Sequence, residues 1–219
     1  MSVQSAYSGA MVTAAPTSTA RRAGKRQAIL DAAAELFAED GYERVSIDAI
    51  AAKAGVSKPT VYSHFGNKEQ LFRESLAESA RQINEQSYAA AVSLDVGKDW
   101  ERSLRDVAVQ LVECQRSTCA ASLQRQLYAE INRDPEVFGI VRSRGADPII
   151  EALAGRLAMV ANAGHLRIDD PVRAAKQFFA LIGAEIAELT RLGTDRGDDG
   201  QVRAAVAAGV DTFLRAYRA

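Results

Sequence analysis

The stretch Ser46-Ile-Asp-Ala-Ile-Ala-Ala-Lys-Ala-Gly55-Val-Ser-Lys-Pro-Thr-Val-Tyr62-Ser-His-Phe65 has the spacing of two short helices joined by a tight turn. Ser46 can accept an orphan backbone N–H at the start of the first, and Asp48 in its first turn complements the helix dipole. Gly55 supplies the bend. Ser57 caps the second helix, predicted over about residues 58–65, and Pro59 falls in its first turn, where a missing N–H costs nothing. Ile47, Ile50, Ala51, Ala54, Val56, Val61 and Phe65 can then share a small core, which leaves Lys58, Thr60, Tyr62, Ser63 and His64 on the surface of the second helix. From Ser57 to Lys68 there is no acidic side chain, although the chain carries 28 Asp and Glu. A surface meant to meet a polyanion needs that absence, and hydroxyls and a lysine at a helix N-terminus can reach base edges or phosphates.

Upstream, Ile29, Leu30, Ala33, Leu36 and Phe37 make one apolar stripe on a helix predicted from Arg21 to about Glu39, stopped by Gly41. Arg21, Arg22, Lys25 and Arg26 make its start basic, with no acid before Asp31, and form a candidate arm toward phosphates. Residues 1–20 are small and polar, without the basic start and apolar run of a secretory leader, and are expected to be a disordered tail. Downstream, Asn67 caps a long helix reaching about Val92, and Lys68 at its start can flank a phosphate. The expected organisation is therefore a helix-turn-helix head over 21–67 and a helical body over 68–219.

The body is read as all helix. Trp100, Leu104, Val107, Leu111 and Val112 share one side of an amphipathic helix, and further helices are expected at about 118–132, 135–144 and 147–163, opened by Asp134-Pro135 and Asp147-Pro148. From Pro171 to Leu192, Val172, Ala175, Phe179, Ile182, Ile186 and Leu189 recur at spacings of 3, 4, 3, 4 and 3, the seam of a helix packed lengthwise on others. Val202, Val206, Gly209, Phe213 and Tyr217 repeat much the same spacing. Such a pair, met by the same pair from a second subunit, would complete a four-helix dimer interface; an ordinary intramolecular core is the alternative. The expectation is an all-α protein of about nine helices.

Composition narrows the function. A net charge of -1 excludes a protein that coats nucleic acid or membrane by charge alone, so any anion-binding surface must be local. No run approaches the length of apolar sequence needed to span a bilayer, so a soluble, cytoplasmic protein without a membrane partner is expected. His64 and His165 lack a nucleophile or a metal-ligand spacing, so neither catalysis nor a metal or other cofactor is expected. Cys114 and Cys119, the two cysteines, stand five apart on what reads as one helix, with side chains about 140° apart. A disulfide there would require local unwinding.

Residues 24–72 resemble the N-terminal domain of the TetR family of transcriptional regulators. The likeness rests on Ile29-Leu-Asp-Ala-Ala-Ala-Glu-Leu-Phe37, Gly41-Tyr42, Ile50-Ala51, Ala54-Gly55-Val56-Ser57, Thr60-Val-Tyr-Ser-His-Phe65, Asn67-Lys68-Glu69 and Leu71-Phe72. It implies that Ser46, Lys58, Pro59, Thr60, Tyr62, Ser63, His64 and Lys68 face DNA, to which the capping Ser57 is added. Tyr62, His64 and Lys68 would contact phosphates, while Lys58 and Ser63 set sequence preference. The stretches Ala129–Phe138 and Gly164–Pro171 look like a common subtype of the family's C-terminal domain. A homodimer on a palindromic operator is implied, with recognition helices about 34 Å apart. Most such proteins are repressors released by a small effector, here expected to be apolar or aromatic and lined by Trp100, Leu104, Leu111, Tyr128, Phe138 and Phe178. The alternative is a helical protein-interaction or redox-responsive regulator without an inducer.

Overall fold

A computed structural model describes residues 18–219 and contains eleven helical segments among them, linked by short turns. The head comprises α1 (Ser18–Arg44), α2 (Ile47–Lys53) and α3 (Lys58–Phe65). α1 takes in the last residues of the expected tail; the rest of that tail lies outside the described residues, as does the side chain of Arg21. Gly41, at φ 79°, interrupts α1 where a stop was expected, and one more turn carries the chain to Arg44. Of the expected head core, Ile47, Ile50, Ala51, Val61 and Phe65 are buried and Ala54 and Val56 half-buried.

α4 (Lys68–Val92) leads into the body, which continues through α5 (Trp100–Gln115), α6 (Thr118–Glu130), α7 (Glu136–Arg144), α8 (Ala146–Asn162), α9 (Pro171–Gly183), α10 (Ile186–Leu189) and α11 (Asp199–Tyr217). Two cores result, and α4 belongs to both. Leu71, Phe72, Leu76 and Ala80 join the head core, together with Leu123 of α6 and Val137 of α7; Ala90 and Ala91 join the body core. The boundary expected at residue 67 is thus crossed by continuous apolar packing. A polar clamp reinforces it: Arg73 donates from Nε and Nη2 to the two carboxylate oxygens of buried Asp134, at 2.6 and 3.0 Å.

The predicted helix over residues 171–192 is broken. α9 ends at Gly183, a poor helix former, and after the single turn of α10 the backbone turns left-handed at Arg191, Leu192 and Gly193. Buried Thr190 fixes this corner by donating to the Ile186 carbonyl at 2.7 Å and accepting from Gly193 N at 3.2 Å.

The seam itself is real but faces inward. Ala175, Ile182, Ile186, Val202, Val206 and Phe213 are buried within this single chain, and Phe179, Leu189 and Tyr217 pack against the same core. The six buried side chains therefore serve the body core of this chain, while half-buried Phe179, Leu189 and Tyr217 keep part of their surface on the outside of α9, α10 and α11. Val172 alone of that set is exposed. α9 and α11 run antiparallel, with Phe178 edge-on to Phe213 at 5.1 Å between ring centroids. They approach most closely at Gly209, where a Cβ would lie 2.5 Å from the Leu181 carbonyl oxygen and 2.9 Å from Ile182 Cα.

Because those neighbours are backbone, Gly209→Ala forces the helices apart. The expected cost is about 1–3 kcal/mol, seen as a lower Tm and an unchanged helix content by circular dichroism.

Candidate nucleic-acid interface and body cavities

The head presents α3 by burying Val61 and Phe65 inward, which turns the intervening positions out. Ser46 Oγ accepts from Ala49 N at 3.1 Å and caps α2; Ser57 caps α3, its hydroxyl 2.8 Å from that of Thr60. Ser63 donates to the Thr60 carbonyl at 3.0 Å. Ser46, Ser57, Lys58, Pro59, Tyr62 and Ser63 are exposed, and Thr60, His64 and Lys68 half-buried, so none of the predicted DNA-facing residues is in the core. Gly55, at φ 66°, makes the turn that sets α3 against α2.

Three of the cations are already engaged. Lys58 pairs with exposed Asp48 at 2.9 Å, and that carboxylate holds its ammonium above the ordinary range. The sequence marks Asp48 only as a dipole partner; the geometry puts it beside the recognition helix, a contact across ten residues that no local pattern signals. Lys68 donates to the Glu43 carbonyl at 3.3 Å and sits 4.4 Å from the Tyr42 ring centroid. Arg26 pairs with Glu74 and lies over Phe65, so this member of the basic arm braces α1 against α4. Burial, then the charges of Arg22, Arg26 and Lys25, hold the His64 imidazole below its usual pKa.

Tyr42 stands out in the sequence only through the family resemblance. It packs on Phe37 and Phe72, with centroids at 6.0 and 5.0 Å, while Arg133, just before the α6–α7 corner, covers its ring at 3.9 Å. Head and body therefore meet on one aromatic side chain held between two cations.

The body contains overlapping cavities of about 410 and 400 Å³ between α4, α6, α7, α8 and α9. Leu123, Leu127, Val141, Ile150 and Phe179 line both, with Asn84 as a polar group on α4. Of the expected lining, Leu111 and Phe138 are present. Trp100, Leu104 and Phe178 are core: Trp100 stacks on His165 at 5.5 Å and Phe178 meets Phe213. Tyr128 is 63% exposed, and its hydroxyl accepts from Gln124. Phe179, expected from its spacing in the dimer seam, also lines both cavities.

An acid-poor second helix in a helix-turn-helix head, fused to an all-helical body with apolar clefts, is the architecture of a DNA-binding transcriptional regulator. Residues 29–75 match the model of bacterial regulatory proteins of the tetR family, and residues 102–219 that of the AefR-like transcriptional repressor C-terminal domain. The chain belongs to the TetR family of transcriptional regulators. It is 28% identical over 175 residues to the HTH-type transcriptional repressor AcnR of Corynebacterium efficiens, covering 80% of this chain and 85% of that one. A TetR-family regulator structure from Mesorhizobium loti superposes with a TM-score of 0.83 at 27% identity, covering 91% of this chain and 99% of the other. The flavonoid-responsive regulator FrrA gives 0.72 at 30% identity, over 89% and 97%.

Asp48→Asn releases Lys58 and removes a negative charge from the DNA side. The expected result is tighter binding to all sequences and a salt dependence steeper by about one phosphate contact, measured by fluorescence anisotropy across a salt series. Unchanged affinity and slope would show that the pair lies off the DNA surface.

Proposed function

We propose that the protein acts as a homodimer that grips a palindromic operator through Ser46, Ser57, Lys58, Pro59, Thr60, Tyr62, Ser63, His64 and Lys68. A small apolar or aromatic effector, held between α4 and α6–α9, releases it. One observation carries this reading: the helix that supplies Ile83, Asn84 and Ser87 to the cavity is the helix that supplies Leu71, Phe72 and Leu76 to the head core. An occupant that shifts α4 must therefore shift the head. The effect is a population shift toward a head separation that no longer fits two successive major grooves.

The chemistry of the walls supports the effector class. Aliphatic side chains and Phe179 form most of the lining, and Asn84 offers a donor and an acceptor for orientation. FrrA, at 30% identity, is named for its response to flavonoids, which are aromatic molecules with polar rims. The outward sides of α9, α10 and α11, with Val172 exposed and Phe179, Leu189 and Tyr217 half-buried, are the surface assigned to the partner subunit.

Selection of genomic fragments with the purified protein should recover a palindrome. Lys58→Ala is expected to change the selected bases, whereas Lys68→Ala weakens binding to every sequence and flattens the salt slope by about one contact. If neither variant differs from the parent, the DNA surface is misplaced.

Ile150→Trp fills the cavity from its wall. It is expected to keep operator binding and to abolish release by whichever member of a panel of flavonoids and small aromatic acids releases the parent. Release at the parent's concentration would place the effector elsewhere.

A further inference from the structure

The two cysteines do not share a helix. α5 ends at Gln115, the chain turns at Arg116 and Ser117, and α6 begins at Thr118. That break removes the divergence of about 140° that an unbroken helix would impose. Both thiols line one cleft of about 560 Å³ instead. α1 contributes Ala34, Glu35 and Ala38 to the lining, so the cleft lies between the head and the body. Cys119 is exposed; Cys114 is half-buried and lies 3.9 Å from Gln86 Oε1, to which it donates. Gln126 lines the same cleft, and its Oε1 is buried with no hydrogen-bond partner among the described residues. An unfilled acceptor, two thiols and room for a small organic molecule therefore converge at the joint that the proposed release mechanism must move.

We propose that this cleft is a covalent sensor site for small α,β-unsaturated carbonyl compounds, with Cys119 and Cys114 as the reacting groups. The thiol loses its proton to solvent, and sulfur forms a bond to the β-carbon of the electrophile. The alkene electron pair moves toward the carbonyl, and the α-carbon then takes a proton from water. Nothing leaves and no oxidant is consumed. The amide N–H of Gln86 can hold the carbonyl oxygen, and Gln126 Oε1 can accept from a hydroxyl or N–H elsewhere on the electrophile. The adduct occupies the space between α1 and α6, wedges the head away from the body and lowers DNA affinity. Cys114 also borders the effector cavity, whereas Cys119 lines only the cleft of the two, so Cys119 separates the sites.

This inference rests on the proposed DNA-binding function, and the test distinguishes their failures. The full chain, its Cys114→Ser variant and the Cys114→Ser/Cys119→Ser double variant are treated with N-ethylmaleimide, checked by intact mass, and titrated with the selected operator. The parent and Cys114→Ser are expected to gain maleimide and lose about tenfold or more in affinity, within the usual range of coupling between sites. The double variant should do neither. Cys119→Trp, which fills the cleft without chemistry, should bind weakly from the start with its helix content intact. Full modification of Cys119 with unchanged affinity would overturn the inference while leaving the DNA-binding function standing, as would an equal loss in the double variant. Absence of operator binding before treatment would overturn both.

Discussion

The packing of α4 into two cores at once is the constraint on which the rest of this structure depends. Its first turns complete the head, because α1–α3 cannot cover Phe37, Val61 and Phe65 without Leu71, Phe72 and Leu76. Its last turns close the body over Leu94 and Trp100. Removing either contact would leave large apolar side chains in water, at about 1.5–3 kcal/mol for each of that size. The polar fastenings take the same path. Arg73 on buried Asp134 and Arg133 on Tyr42 both join the head end of the molecule to the α6–α7 corner, whereas Arg81 with Glu85 only decorates an exposed helix face. Stranding one partner of a pair held out of solvent costs more than breaking an exposed pair, so the corner is the more sensitive of these fastenings.

The head was legible because its determinants are local. Ser46, Ser57 and Asn67 each cap a helix within three residues of themselves, Gly55 and Gly66 mark turns, and the apolar spacing of Ile47 to Phe65 is set by two helical turns. Such features need no knowledge of the remainder of the chain. What escaped were contacts across ten or more residues: Asp48 on Lys58, Arg26 on Glu74, and Arg133 over Tyr42.

The body shows why periodicity alone stops short. The 3,4 spacing of Val172 to Leu189 correctly marked a buried stripe, but a stripe says only that something covers it. Here α5, α8 and α11 of the same chain do. The helix breaks after Gly183, yet Ile186 and Leu189 still reach the same core, so the regular spacing outlived the helix it described. Cavity walls were harder still, since Leu123, Leu127, Val141 and Phe179 differ from core neighbours only in having empty space beside them. The break between Cys114 and Cys119 falls at Arg116, an ordinary helix former that tertiary contacts with Asp199 and the Arg196 carbonyl recruit into a turn.

One dimension of α4 has a mechanical meaning. As an unbroken helix of 25 residues it is about 37 Å long. The head core holds it from Leu71 to Ala80, on both sides of the Arg73–Asp134 clamp, and the cavity residues Ile83 to Ser87 follow within the next two turns of the same rod. An unbroken helix has no joint between those two stretches. A shift along or across its axis at Ile83 to Ser87 is therefore carried to the head core undiminished by any hinge, which makes the spacing of cavity and head a fixed length of the molecule.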